Sequence, residues 1–530
     1  MANIPTLLNK LRGYQHTFPI QKNYQRLAIV VLFFLVFHIT FIRGNKPTEN
    51  EEWPDTHPVV RLFTLFADSR PETPPLNEYI GNEKVKQKFA TDNDFFFSKE
   101  YLSNLLNVDE RDVKELKRKH AYFLKNVKEL RFKSFASPDK HLQGDGIVIV
   151  GGGKFSWLAL LNIHQLRATG CQLPVEVYLP TYNDYESQFC DTILPSMNAR
   201  CVIGAKEYPS FKFHDQLKFK GFQLKIMALF ASYFERVLLL DADNVVTIDP
   251  TKLFSWQTFK DTGLVVWPDS WTRTTQPRFY DIAGIKVGDR PSHGKTKDNT
   301  NPEEWDFHDF EGTLPNPTCE SGMLLLDKKQ TVDAMMLAFY YNIHGPDYYY
   351  PLLTQGGAGE GDKDTFIAAA YAVKQPIYMV QQSMSFLGYH DDSGYHSKAL
   401  GQWDPLTPRE TNRDADGECM FLHLSYPKLF PDQLKGEITR ETTDGSHRKM
   451  YVSGEANKHY NFDLRMWELM TQLICDGFEP NTNSDPASVL IPQRQRLDGL
   501  KLDFIKSVDG ESFCKPLHLP HLRFLRESRD

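Results

Sequence analysis

Arg236-Val-Leu-Leu-Leu-Asp241-Ala-Asp243-Asn244 is the stretch on which the architecture turns. Val237 to Leu240 is an unbroken apolar run. A strand that is apolar at every position is buried on both faces, as strands of a parallel sheet covered by helices are. Asp241 and Asp243 leave its C-terminal end two residues apart, so their carboxylates can converge on one point. Paired hard oxygen donors suit a divalent cation, which can bridge to a diphosphate. The same Asp-x-Asp spacing starts at Asp92, Asp362 and Asp414, but only at Asp241 does it follow a continuous apolar strand.

Upstream, Ile147-Val-Ile-Val150 reads as another buried strand, followed by Gly151-Gly-Gly153, an apolar helix from Phe155 to Leu166, and a strand over Val175–Leu179. That is a β–loop–α–β unit, the opening of an α/β sheet. The loop is neither a P-loop, since Val148 and Phe155 break the pattern, nor a dinucleotide fingerprint, since Ser156 replaces the third glycine. It is either a tight turn or a strand end where a nucleotide meets amides at a helix N-terminus. Downstream strands are expected over Gly263–Trp267, Gly322–Leu326 and Cys419–His423, and helices over Phe222–Tyr233 and Asp362–Val373. A further helix is expected over Asp109–Phe132, where Val113, Leu116, His120, Phe123, Val127 and Leu130 recur at helical spacing.

Other side chains could join the carboxylate pair. His423 ends a late apolar strand, and a histidine there is either packed or a third ligand; Lys428 follows where it could meet a phosphate. Glu320 precedes an apolar strand. Glu360, Asp362 and Asp364 open a helix after a glycine-rich loop, where acids at a helix start are also ordinary caps. Tyr348-Tyr-Tyr350 could offer faces to sugars or simply pack.

The chain has 530 residues, with 61 Lys plus Arg against 68 Asp plus Glu, a formal charge of −7. That balance speaks against a dedicated nucleic-acid binder. A mean hydropathy of −0.45 excludes a polytopic membrane protein. Yet Leu27–Ile42 carries no formal charge, lies between Arg26 and Arg43, and spans roughly 24 Å as a helix. Lysines and arginines precede it and acids follow it, so it reads as an uncleaved signal anchor with residues 1–26 cytosolic and the remainder lumenal. A proline-bearing stem is expected over 43–90, a helical extension over 91–140, a catalytic domain over 141–475 and a loop-rich extension over 476–530. Seven cysteines without CxxC spacing argue against a zinc module, and the odd number leaves at least one thiol unpaired within the chain.

Together, Lys220-Gly-Phe-Gln-Leu-Lys225, Val237–Pro250, Glu320-Ser-Gly322, the run from His344 to Phe366, and His423–Lys428 resemble fungal Mnn1/Mnn2-type α-mannosyltransferases. They are most similar to the α-1,2-mannosyltransferases that start mannan branches. The resemblance spans roughly residues 140–475 in order and spacing. It implies a GT-A fold, a Rossmann-like mixed sheet flanked by helices, in a type II Golgi membrane enzyme. It also implies GDP-mannose as donor, Mn²⁺ as cofactor, a mannan or N-glycan outer-chain acceptor, and retention. By position, Asp241, Asp243 and His423 become metal ligands, and Lys225 and Lys428 diphosphate contacts alongside Gly151, Gly152 and Gly153. Glu320, Glu360, Asp362 and Asp364 become candidates around the donor sugar and acceptor hydroxyl. Alternatives are a related transferase with an α-1,3 linkage or another nucleotide sugar, a lumenal phosphohydrolase, and an inactive lumenal binding protein.

Overall fold

The computed structural model describes residues 53–92, 95–208, 217, 219–290, 305–407, 419–424, 426–431, 433–434, 447–451, 461–475 and 514–528. The apolar segment 27–42 lies outside them. Among the described residues no helix is long and apolar enough to cross a membrane.

From Pro54 onward the chain is one unit built on two sheets. The larger has seven strands: β1 (Asp145–Val150), β2 (Val175–Leu179), β3 (Ala199–Ile203), β4 (Arg236–Asp241), β6 (Leu264–Thr272), β7 (Pro317–Asp327) and β8 (Tyr378–Met379), in the order β3-β2-β1-β4-β7-β6-β8. β7 runs antiparallel to both neighbours; the other pairings are parallel. The smaller sheet is antiparallel, in the order β5-β11-β10-β9, from β5 (Asn244–Val246), β9 (Ser385–Asp391), β10 (Gly394–Trp403) and β11 (Cys419–Leu424).

The decisive strand behaves as its composition dictates. Val237 through Leu240 are all fully buried. Leu238 and Leu240 share a core with Ile147, Ile149 and the apolar helix Phe155–Ala168, while Val148 and Leu239 are buried on the other face. Covering both faces is what makes an unbroken apolar strand stable in water.

The proline-bearing segment expected to be a spacer is, over residues 54–90, part of the domain. Helix α1 (Pro58–Asp68) starts on a proline, is capped by His57, and buries Val59, Val60, Leu62, Phe63, Leu65 and Phe66. Phe66 stacks on Phe123 of helix α2 (Glu110–Glu129) at 5.5 Å and meets Phe339 edge-on at 4.7 Å. Its carbonyl accepts from His344, and that of Ser69 from Tyr340. α2 starts at the Asp109 cap, as the helical spacing indicated. Near the other end, Leu519–Glu527 is helical, and Cys514 is bridged to Cys475. Cys190 and Cys201 form a second disulfide; Cys171, Cys319 and Cys419 are buried outside both bridges. Tyr348, Tyr349 and Tyr350 are buried, so their rings pack in the core and offer no sugar-binding face.

Candidate active site

Asp241 ends β4 and Asn244 begins β5, so the Asp241–Asn244 step carries the chain from one sheet to the other. His423 lies opposite Asn244 on β11. One ligand atom from each of Asp241, Asp243 and His423 falls within 4.8 Å of the others. His423 turns Nε2 toward Asp243 Oδ1 at 3.8 Å and Nδ1 toward Glu320 Oε2 at 3.2 Å. Glu320 Oε1 accepts from the Gly322 amide at 2.7 Å. A carboxylate on the far nitrogen of an imidazole is the usual way a metal-binding histidine is oriented.

Two lysines close the cluster. Lys225, on helix α3 (Gln223–Ala231), sits 3.0 Å from Asp241 Oδ2 and 3.5 Å from Asp362 Oδ1. It also donates to Ser321 Oγ at 2.9 Å. The Lys428 ammonium pairs with Asp243 Oδ2. Four carboxylates, those of Asp241, Asp243, Glu320 and Asp362, thus meet two ammoniums. With a neutral imidazole the cluster is two positive charges short, the charge a divalent cation brings. Asp362 Oδ2 and the side-chain amide of Asn244 are buried without hydrogen-bond partners among the described residues. Gly322 leaves the space open: a Cβ there would lie 3.0 Å from Asn244 Nδ2 and 3.1 Å from Glu320 Oε1. The donor set and its charge fit a hard divalent cation.

The electrostatics follow from burial and neighbours. Burial works against the Lys225 ammonium, but Asp241 and Asp362 outweigh it and hold its pKa above the ordinary lysine value. Burial, opposed by Lys225 and reinforced by Asp241, pushes Asp362 up to about 6. Burial also acts on Glu320, yet His423 and Lys225 hold it below the usual carboxylate range. Burial and the charges of Lys225 and Lys154 lower Lys428, against Asp241.

Not every residue expected at the site is in this cluster. Asp364 is fully buried, paired with Arg273 at 2.9 Å and accepting from the Cys319 amide at 3.0 Å. It is the N-cap of helix α4 (Thr365–Val373) but makes no side-chain capping bond: Oδ1 takes both contacts, and Oδ2 is buried without a hydrogen-bond partner among the described residues. Glu360 accepts from Thr354 Oγ1 at 2.6 Å and the Gly356 amide at 2.9 Å, which ties its own loop. The glycine loop is adjacent, since Val150 pairs with Asp241 across β1 and β4. Gly151 and Gly152 are required by packing: a Cβ would meet Val177 at 2.6 Å and Pro180 at 2.7 Å. Gly152 also holds φ at +97°. Gly153 and Lys154 are exposed. Lys154 was not marked by the sequence as a site residue. Its position after three glycines was the available signal, and its Nζ lies 4.8 Å over the Phe430 ring.

Comparison with known proteins follows the same lines. The family model described as "Mannosyltransferase putative" matches residues 144–404. Alpha-1,2-mannosyltransferase MNN2 of Candida albicans is 39% identical over 525 residues, covering 92% of this chain and 86% of that protein. Alpha-1,2-mannosyltransferase MNN2 of Saccharomyces cerevisiae is 33% identical, covering 83% and 82%. Among solved structures, apo mouse xyloside xylosyltransferase 1 aligns over 44% of this chain and 84% of its own, at 14% identity and a TM-score of 0.26.

Proposed function

The chain belongs to the fungal α-1,2-mannosyltransferase family, and from that premise we propose that it transfers mannose from GDP-mannose to a mannan or N-glycan outer-chain acceptor with retention. The observation that carries this reading is the convergence of Asp241, Asp243 and His423 within 4.8 Å, flanked by Lys225 and Lys428. A divalent ion, Mn²⁺ in this reading, would be held by those three residues and supply Lewis-acid neutralisation of the departing diphosphate.

The chain's own residues divide the remaining work. Glu320 takes the Nδ1 proton of His423 in a hydrogen bond, which leaves the Nε2 lone pair facing Asp243. Lys225 holds Asp241 and Asp362 in place and offsets their mutual repulsion. Exposed Lys154 and half-buried Lys428, the latter beside Asp243, are the cations for diphosphate oxygens. Asp362 keeps one oxygen unpartnered, free to accept from a sugar hydroxyl or to face charge developing on the ring. Asp364 and Glu360 act structurally, one through Arg273 and the other within its loop.

The two-sheet arrangement, with carboxylates leaving a parallel strand and a late histidine on the second sheet, supports a GT-A fold. Two disulfides support an oxidising lumen, and the apolar segment 27–42 with its flanking charges supports a membrane anchor of type II topology; the Golgi assignment rests on the family resemblance.

The test is release of GDP from GDP-mannose by the full-length chain, with an α-mannoside acceptor and linkage analysis of the product. Turnover should need Mn²⁺ and stop with a chelator. Asp241→Asn should lower kcat by about 10³-fold or more, with an unchanged melting temperature. An active Asp241→Asn variant, or turnover indifferent to chelation, sinks the assignment.

A further inference from the structure

An aromatic strip starts beside this site. Directly opposite residues of antiparallel strands present their side chains on one face, about 4.8 Å apart between neighbouring strands. Asn244 pairs with His423, His423 with Leu400, and Leu400 with Phe386. Phe386 therefore stands on the same face as His423, two strands away, about 10 Å along the row. Phe386 is 41% exposed. Phe89 meets it edge-on at 5.7 Å and stacks on Trp271 at 4.5 Å. Phe89 is itself 37% exposed. Trp271 belongs to β6, the strand that pairs with Glu320 through Trp267, so the strip returns toward the cluster along a second element. Beyond Trp271, Lys86, Thr318, Gly357 and Lys363 line a narrow cleft.

Three rings bordered by a cleft that carries hydroxyl and ammonium groups do not match a protein helix, which needs a continuous apolar groove. They match a chain whose units carry one apolar face of C–H groups and a rim of hydroxyls. We infer that Phe386, Phe89 and Trp271 form a platform for an oligosaccharide acceptor, whose end is thereby led to the Asp241–Asp243–His423 cluster. The inference rests on the mannosyl-transfer reading and adds to it where the acceptor lies, with the consequence that a longer acceptor should bind better than a single sugar.

Full-length wild type is compared with Phe386→Ala, Phe89→Ala and Phe386→Tyr. The readouts are acceptor KM for methyl α-mannoside and for a linear α-mannooligosaccharide, donor KM, and calorimetric binding of the oligosaccharide without donor. Each alanine variant should raise KM and Kd for the oligosaccharide about tenfold. The KM for methyl α-mannoside should change less than about twofold, with donor KM and melting temperature unchanged. Phe386→Tyr keeps the ring and should keep wild-type affinity. Unchanged oligosaccharide binding in both alanine variants, or equal losses on both acceptors, overturns the platform. So does concentration-dependent dimerisation that Phe386→Ala abolishes while oligosaccharide affinity holds. If the wild type does not turn over GDP-mannose, the donor reading fails, while calorimetry still decides the platform.

Discussion

Glu320 shows how far a residue's role can sit from its local sequence. Its partner His423 lies 103 positions away, and the contact exists only because β7 and β11 converge near the Asp241–Asn244 step. From sequence it read as a carboxylate for the sugar; its two oxygens are taken by His423 and the Gly322 amide. In the proposed reading it is a positioning residue. Glu320→Gln should therefore weaken metal affinity by about 10–100-fold. Titrating activity with Mn²⁺ checks this: the half-saturating concentration should rise, with most of the rate restored at saturation. A variant dead at all Mn²⁺ concentrations would place Glu320 at the sugar after all. That Asp241 and Asp243 stand together was legible because local sequence carries the needed facts, an apolar strand and two acids at its end. Asp362 and Asp364 share that spacing without the strand, and which one faces the cluster depends on Arg273, a partner in distant sequence.

At the scale of elements, long apolar runs were readable and short mixed ones were not. β1, β2, β4 and the helix after the glycines follow from hydrophobic pattern alone. The β9–β10 hairpin escaped because its strands alternate Gly, His, Ser and Tyr without a clean apolar face. Segment 54–90 was misleading for a different reason: its prolines suggested a spacer, but Pro58 occupies the first turn of α1, where proline is tolerated. α1 buries six apolar side chains, worth about 2 kcal/mol each as an upper bound, on the order of the whole stability of a domain. A chain beginning at residue 91 should thus aggregate or melt far below one beginning at residue 54. Thermal denaturation of the two truncations decides it, and equal melting temperatures would refute the structural role of α1.

Across the whole molecule, distant parts of the chain are tied by buried charge and by covalent links. Lys88 and Asp306 form a fully buried pair at 2.8 Å, and Asp306 also accepts from the Phe97 amide and Asn316. Lys88→Met would leave that carboxylate uncompensated and should cost about 3–5 kcal/mol, read as a lower midpoint in urea unfolding. A midpoint within error of wild type would mean Asp306 finds other compensation. Such pairings were invisible in the sequence, which shows charges but not their burial. The Cys475–Cys514 bridge has a topological consequence. A protease that nicks the backbone anywhere between those two positions cannot detach the helix Leu519–Glu527. Nicked protein should migrate as one species on a non-reducing gel and as two fragments after dithiothreitol, so covalent integrity here is carried by sulfur as well as by the peptide chain.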